Sequence, residues 1–287
     1  MDAFTAILFL AGLSALLATI LAVSHKRLWV YEDPRIDTVT DMLPGANCGA
    51  CGLPGCRAFG EKVVEGKILP SECPVGGADT ARFIANFLGI EAGTMIKTVA
   101  RLLCAGGSDQ AEQVGEYEGF SSCRAAATIG GGPKGCTFGC LGLSDCEVAC
   151  TFDAITMSTT GLPIVDLEAC TACGDCVRAC PKNLFVIQPV THCLIVQCKS
   201  ILEGEEALEQ CKVVCTGCGL CAADAPEGLI TMNNNLPVID VDKIELQTEL
   251  ATLRCPTDAI KWVVGRQFEE LTPLEAVQKN TPIDDWT

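Results

Sequence analysis

The sequence predicts an α+β chain in which one long apolar helix precedes several small modules organised by cysteine. Three observations predict it. Residues 3–23 hold no charged side chain; the 287 residues include 21 cysteines but only 5% aromatics; and the stretches 136–187 and 215–262 share one order of cysteines, alternating apolar residues and a closing Cys-Pro. So few aromatics leave little for a large conventional core, and small modules then need bound metal or cross-links for part of their folding free energy.

The first element is "AFTAILFLAGLSALLATILAV", followed by "SHKRLW". Twenty-one apolar residues rising about 1.5 Å each cross a hydrocarbon core of roughly 30 Å. A cleaved secretory signal starts with basic residues, whereas this chain starts Met1-Asp2 and carries Lys26 and Arg27 on the far side. By the positive-inside rule the C-terminal body faces the cytoplasm, anchored to the cell membrane by a single pass, with Trp29 and Tyr31 at the interface.

A cytoplasmic body keeps its cysteines reduced, and C-x2-C and C-x3-C spacings suit metal ligation better than disulfides. Four thiolates also suit zinc, but zinc prefers two separated C-x2-4-C pairs. Triplets of the C-x2-C-x2-C kind wrap one 4Fe-4S cubane and leave the next cysteine to another. The formal charge of −16 argues against nucleic acid as a partner, since nothing would neutralise phosphates.

The next element is "PGANCGACGLPGCRAFGEKVVEGKILPSECPVGG". Cys48, Cys51, Cys56 and Cys73 form a one-cluster set, and the helical spacing of Phe59, Val63 and Val64 predicts a helix that returns Cys73 to the other three. An apolar anchor, then C-x2-C-x4-C-x16-C-P and "GGGPKGCTFGCLGLSDC", resembles the B subunit of the Rnf electron-transport complex, called Rsx in some bacteria. The resemblance covers essentially the whole chain. It implies an electron-transfer subunit of a membrane translocase that couples electron exchange between ferredoxin and NAD to ion movement. It also implies other Rnf-type subunits and soluble ferredoxin as partners.

Residues 136–187 predict a two-cluster ferredoxin-like repeat. The later run is regular, Cys170-x2-Cys173-x2-Cys176-x3-Cys180-Pro181, while the earlier one is Cys136-x3-Cys140-x5-Cys146-x3-Cys150 with Leu143 where the middle cysteine would stand. Cys136 is taken as the substitute. Because the last cysteine of each run ligates the other cluster, one set is Cys136, Cys140, Cys146 and Cys180, and the other Cys150, Cys170, Cys173 and Cys176. "DAITMSTTGLPIVD" between them predicts a hairpin.

The stretch 215–262 keeps the same order with half the ligands. Anchored on Cys255-Pro256, it places Glu245, Thr248 and Ala251 where Cys170, Cys173 and Cys176 stand, and Ala225 where Cys150 stands. All four losses fall on one cluster, so one site has been removed whole and Cys215, Cys218, Cys221 and Cys255 hold the other. A partial loss would leave buried thiolates without partners.

The expected organisation is an anchor over 1–27, a one-cluster module over 28–92, a connecting segment over 93–135, a two-cluster repeat over 136–190, a degenerate one-cluster repeat over 191–265 and a tail over 266–287. It holds four 4Fe-4S clusters. Cys104, Cys123, Cys193, Cys198 and Cys211 are left without roles, as buried inert thiols or ligands of a further cluster; Cys211 also offers an alternative to Cys218. No nucleophile with a base and no dinucleotide fingerprint appears, so the chemistry belongs to the clusters. Candidate basic patches for docking ferredoxin are Arg57, Lys62 and Lys67, or Lys97, Arg101, Arg124 and Lys134. Two other roles fit the composition: a membrane-bound reducer of a redox-sensing transcription factor, and a structural zinc protein.

Overall fold

The computed structural model describes residues 3–28 and 32–274. Helix α1, Ala3–Leu28, runs for 26 residues. Its segment Ile7–Leu28 has a mean hydropathy of 2.4 and none of it packs inside the body. His25, Lys26 and Arg27 close the last turn, where positive charge complements the carbonyl end of the helix. Trp29 and Tyr31 lie outside the described residues.

The next unit is helical. Helix α2, Pro34–Met42, starts on Asp33, whose side chain accepts from the Arg35 N–H, with proline in the first helical position. Helix α3 spans Cys56–Val64 and α4 spans Gly77–Leu88. Val39, Leu43, Phe59, Val63 and Ile84 form their shared core. Gly60 is what lets α2 and α3 approach, since a Cβ there would stand 2.9 Å from Thr40 Oγ1.

Residues 93–135 are not a mere connector. They supply β1, Thr98–Leu102, which pairs antiparallel with β4, Phe185–Pro189, from Thr98↔Pro189 to Leu102↔Phe185. Between these strands lie α5 (Cys123–Thr128), α6 (Asp145–Val148), the hairpin β2 (Ile155–Met157) and β3 (Pro163–Val165), and α7 (Asp175–Ala179). β1 thus shares a sheet with the strand that closes the first repeat. Alternating burial in β1 was hidden because Val99, Ala100, Arg101 and Leu102 are all buried.

The second repeat copies this plan. Strand β5, Leu194–Val196, pairs with β8, Ile260–Trp262, and encloses α8 (Gly204–Gln210), α9 (Leu220–Asp224), the hairpin β6 (Ile230–Asn233) and β7 (Leu236–Ile239), and α10 (Leu250–Leu253). Asn234 and Asn235, at φ 48° and 63°, make the two-residue turn that this left-handed geometry requires. The outer strands correspond closely. Leu103 N–H donates to Leu184 O in the first repeat and Gln197 N–H to Ala259 O in the second.

The repeats join through backbone. Ala105 N–H donates to Gln197 O, Glu112 N–H to Gln210 O and Lys212 N–H to Gln110 O, around a bridge of Ala111 with Cys211. The described part of the tail docks on the first repeat: Gln267 accepts from Leu102 N–H and donates to Leu102 O, and Phe268 enters the core beside Met157 and Phe185.

Candidate metal-cluster sites

In the helical unit, Cys48, Cys51, Cys56 and Cys73 line one pocket with Leu43, Phe59 and Pro74. Cys56 opens α3, and its N–H donates to Asn47 Oδ1 at 2.9 Å, which fixes the loop that carries Cys48 and Cys51. Burial pushes the Cys73 thiol up, and the Gly76 N–H pulls it down. A Cβ on Gly76 would stand 3.2 Å from Cys73 Sγ.

In the second repeat, Cys215, Cys218, Cys221 and Cys255 line a pocket of the same kind. Burial pushes Cys221 up to about 11, and the charges of Cys215, Cys255 and Cys218 add to it. Where the first repeat has its other cysteine set, this one is filled by apolar packing. Ala251 is buried against Cys221, Leu229 and Ile230, with Ala225 beside them. Arg254 makes a two-point ion pair with Asp224 across α9 and α10, at 2.7 and 2.5 Å.

In the first repeat, burial pushes Cys176 up to about 12, and the charges of Cys170, Cys173 and Cys150 raise it further. Cys150 thus lies within electrostatic reach of the later run. Cys146 is pushed up by burial and by Cys140, Cys123 and Cys180. Cys150 and Cys180 sit alike: Ala154 N–H donates to Cys150 Sγ at 3.3 Å and Leu184 N–H to Cys180 Sγ at 3.4 Å.

One expected ligand is placed elsewhere. Cys136, assigned by sequence to the Cys140 set, lines a different pocket with Cys104, Cys198 and Cys211. Near Leu143 the structure places Cys123, whose sulfur receives the backbone N–H groups of Asp145 and Leu143. Asp145 holds that segment by accepting from Ser122 Oγ and Arg124 N–H. Cys123 precedes Cys140 by a long stretch without regular spacing, so no local motif signals it.

Among the described residues no group of three or more His, Cys, Asp or Glu side chains converges tightly enough for a single metal ion. Four thiols lining one pocket suit a cubane. Three pockets are each lined by four cysteines. Buried cations add to the fit. Arg101 is 1% exposed, none of its guanidinium nitrogens finds a hydrogen-bond partner among the described residues, and Cys193 and Cys170 are the charges near it. Such a group is costly unless an anion lies close.

Burial removes Arg101 and Lys134 from the expected docking patches. Arg57 is paired with Glu32, Asp37 and Glu61, and Lys62 and Lys67 share Glu65. Of the named cations, Lys97 and Arg124 stay exposed without a carboxylate partner among the described residues.

Two stretches of the chain match known iron–sulfur families. Residues 43–75 match the family model described as "Putative Fe-S cluster", and residues 161–182 match "4Fe-4S binding domain". The B subunit of the Na(+)-translocating ferredoxin:NAD(+) oxidoreductase complex of Acetobacterium woodii is 42% identical over 240 residues, 84% of this chain and 72% of the relative. The B subunit of the ion-translocating oxidoreductase complex of Methanosarcina acetivorans is 36% identical over 88% of this chain and 95% of its own length. The chain belongs to the family of B subunits of ion-translocating oxidoreductase complexes. A third relative in this family, the B subunit of the proton-translocating ferredoxin:NAD(+) oxidoreductase complex of Clostridium ljungdahlii, is 38% identical over 90% of this chain and 92% of the relative. As a member of that family, the chain is an iron–sulfur electron-transfer component of such an oxidoreductase and works with its other subunits.

Proposed function

We propose that this chain is held at the cell membrane by α1 alone, with residues 32–274 on the cytoplasmic side, and exchanges electrons with soluble ferredoxin on behalf of a complex acting between ferredoxin and NAD. The observation that carries this reading is the succession of four-cysteine sets along one folded body, with no substrate pocket among the described residues that bears a nucleophile and base. Four 4Fe-4S clusters are assigned to Cys48, Cys51, Cys56 and Cys73; to Cys150, Cys170, Cys173 and Cys176; to Cys123, Cys140, Cys146 and Cys180; and to Cys215, Cys218, Cys221 and Cys255. When bound, each supplies one-electron storage at low potential.

The chain's own part is to order and insulate these sets. Cys170 borders a groove shared with Pro74, Val75 and Gly77, which brings the first repeat against the loop after Cys73. The Cys146 and Cys176 thiols lie within electrostatic reach of each other. The helical unit, next to α1 in the chain, faces the membrane subunits, and the repeats face the soluble carrier.

Stopped-flow mixing of reduced ferredoxin with the anaerobically purified full-length chain tests this. Bleaching of the visible iron–sulfur absorbance at a rate that rises with ferredoxin concentration is expected. No bleaching, with the clusters intact and reducible by dithionite, overturns it.

A further inference from the structure

The pocket of Cys104, Cys136, Cys198 and Cys211 belongs to none of those four sets. It is built from both repeats in matching halves. Cys104 stands two residues past the end of β1 and Cys198 two past the end of β5, while Cys136 and Cys211 stand four residues before Cys140 and Cys215. Each repeat thus contributes the same two positions. The backbone bonds between Ala105 and Gln197, and between residues 110–112 and 210–212, hold the halves together.

From this geometry we infer that Cys104, Cys136, Cys198 and Cys211 hold a fifth 4Fe-4S cluster at the junction of the two repeats. The cavity is lined by four cysteines, as are the two whose cysteines follow recognisable spacing. Its floor is kept clear by Gly106, where a Cβ would stand 3.0 Å from Cys211 Sγ and 3.8 Å from Cys104 Sγ. An independent observation is Lys134, which lines the pocket 7% exposed and donates to Gly106 O at 2.7 Å, with no carboxylate partner among the described residues. Four thiolates around a cubane carry net negative charge, which is the counter-charge this buried ammonium lacks.

The site also has a place in the order of the others. Gly139 lines it and precedes Cys140, whose N–H donates to Cys104 Sγ at 3.4 Å; Val214 lines it and precedes Cys215. It therefore bridges the Cys140 set and the Cys215 set, which otherwise have no cysteine-lined site between them among the described residues. All the cysteines except Cys193 then have a cluster.

The test is iron and acid-labile sulfide per chain, with electron paramagnetic resonance, on anaerobically purified full-length protein. This inference builds on the assignment of the other sets, so two double variants are compared. Cys198→Ser/Cys211→Ser is expected to lose about four irons and four sulfides from about twenty, by the four-iron rule. Cys218→Ser/Cys221→Ser is expected to lose the same amount from a different signal. Full iron in the first variant with loss only in the second overturns the fifth site and leaves the other assignment standing. The variant Gly106→Leu keeps every cysteine while filling the floor. It must lose the same four irons with the remaining signals intact, and a full complement there refutes the site.

Discussion

Replacing Lys134 with methionine removes one positive charge from beside the junction pocket while keeping a side chain of similar length. The ammonium donates to Gly106 O at 2.7 Å, and the position of a Gly106 Cβ is 3.0 Å from Cys211 Sγ, so charge and thiolates lie within a few bond lengths. At about 7 Å and an effective dielectric of about 20, one unit charge is worth roughly 2 kcal/mol. For a one-electron couple that is roughly 90 mV. Reduction adds negative charge, so loss of the cation disfavours the reduced form and lowers the midpoint. The Gly106 carbonyl loses its partner in both oxidation states, so that cost cancels from the potential and appears only in stability. Redox titration followed by electron paramagnetic resonance, on Lys134→Met and Lys134→Arg chains, is the assay. A single centre falling by roughly 60 to 100 mV in the methionine variant and little in the arginine variant is expected. A shift upward, or none at any centre, refutes the placing of that charge beside an anionic site.

Three further outcomes follow from the same geometry. Cys123→Ser is expected to lose the signal of the Cys140 set, whereas Cys136→Ser spares it and disturbs the junction; identical spectra for the two would restore the motif-based assignment. In the iron-free chain the thiols of Cys140, Cys176 and Cys198 are pushed up by burial from 9.0 to about 12. The folded state then keeps protons that the unfolded state gives up. The stability from those thiols is complete below about pH 9 and drains away toward pH 12, so the melting temperature followed by circular dichroism falls across that window. A chain beginning at residue 32 is expected in the supernatant of lysed cells, with the full-length chain in the membrane pellet; equal partition would remove α1 as the anchor.

Much of this was readable in the amino-acid order because its ligands are local. Cys48, Cys51 and Cys56 lie within one loop, and the Cys170 and Cys215 runs wrap their sites within one turn and a short helix. The hairpin between Cys150 and Cys170 was legible from its turn and alternation. The sequence reads the four blanks at Ala225, Glu245, Thr248 and Ala251 as one removed site, and in the structure Ala251 is buried among apolar neighbours with Ala225 beside them. What escaped were ligands brought in by strand pairing. Cys123 comes near Leu143 only because Asp145 accepts from Ser122 and Arg124. Cys104 and Cys198 are set by where β1 and β5 end, and those strands pair with partners far along the chain. Two of the named docking cations, Arg101 and Lys134, proved to be interior, because charge in a sequence says nothing of burial.

Helix α1 ends at Leu28 and α2 begins at Pro34. Six steps of chain stretch to no more than about 22 Å at full extension. Under the proposed anchoring by α1, that span holds the start of the Cys48 unit within about 22 Å of the end of the helix. An engineered spacer in it would be felt first as a loss of contact with the integral subunits, while capture of the soluble carrier continued unchanged.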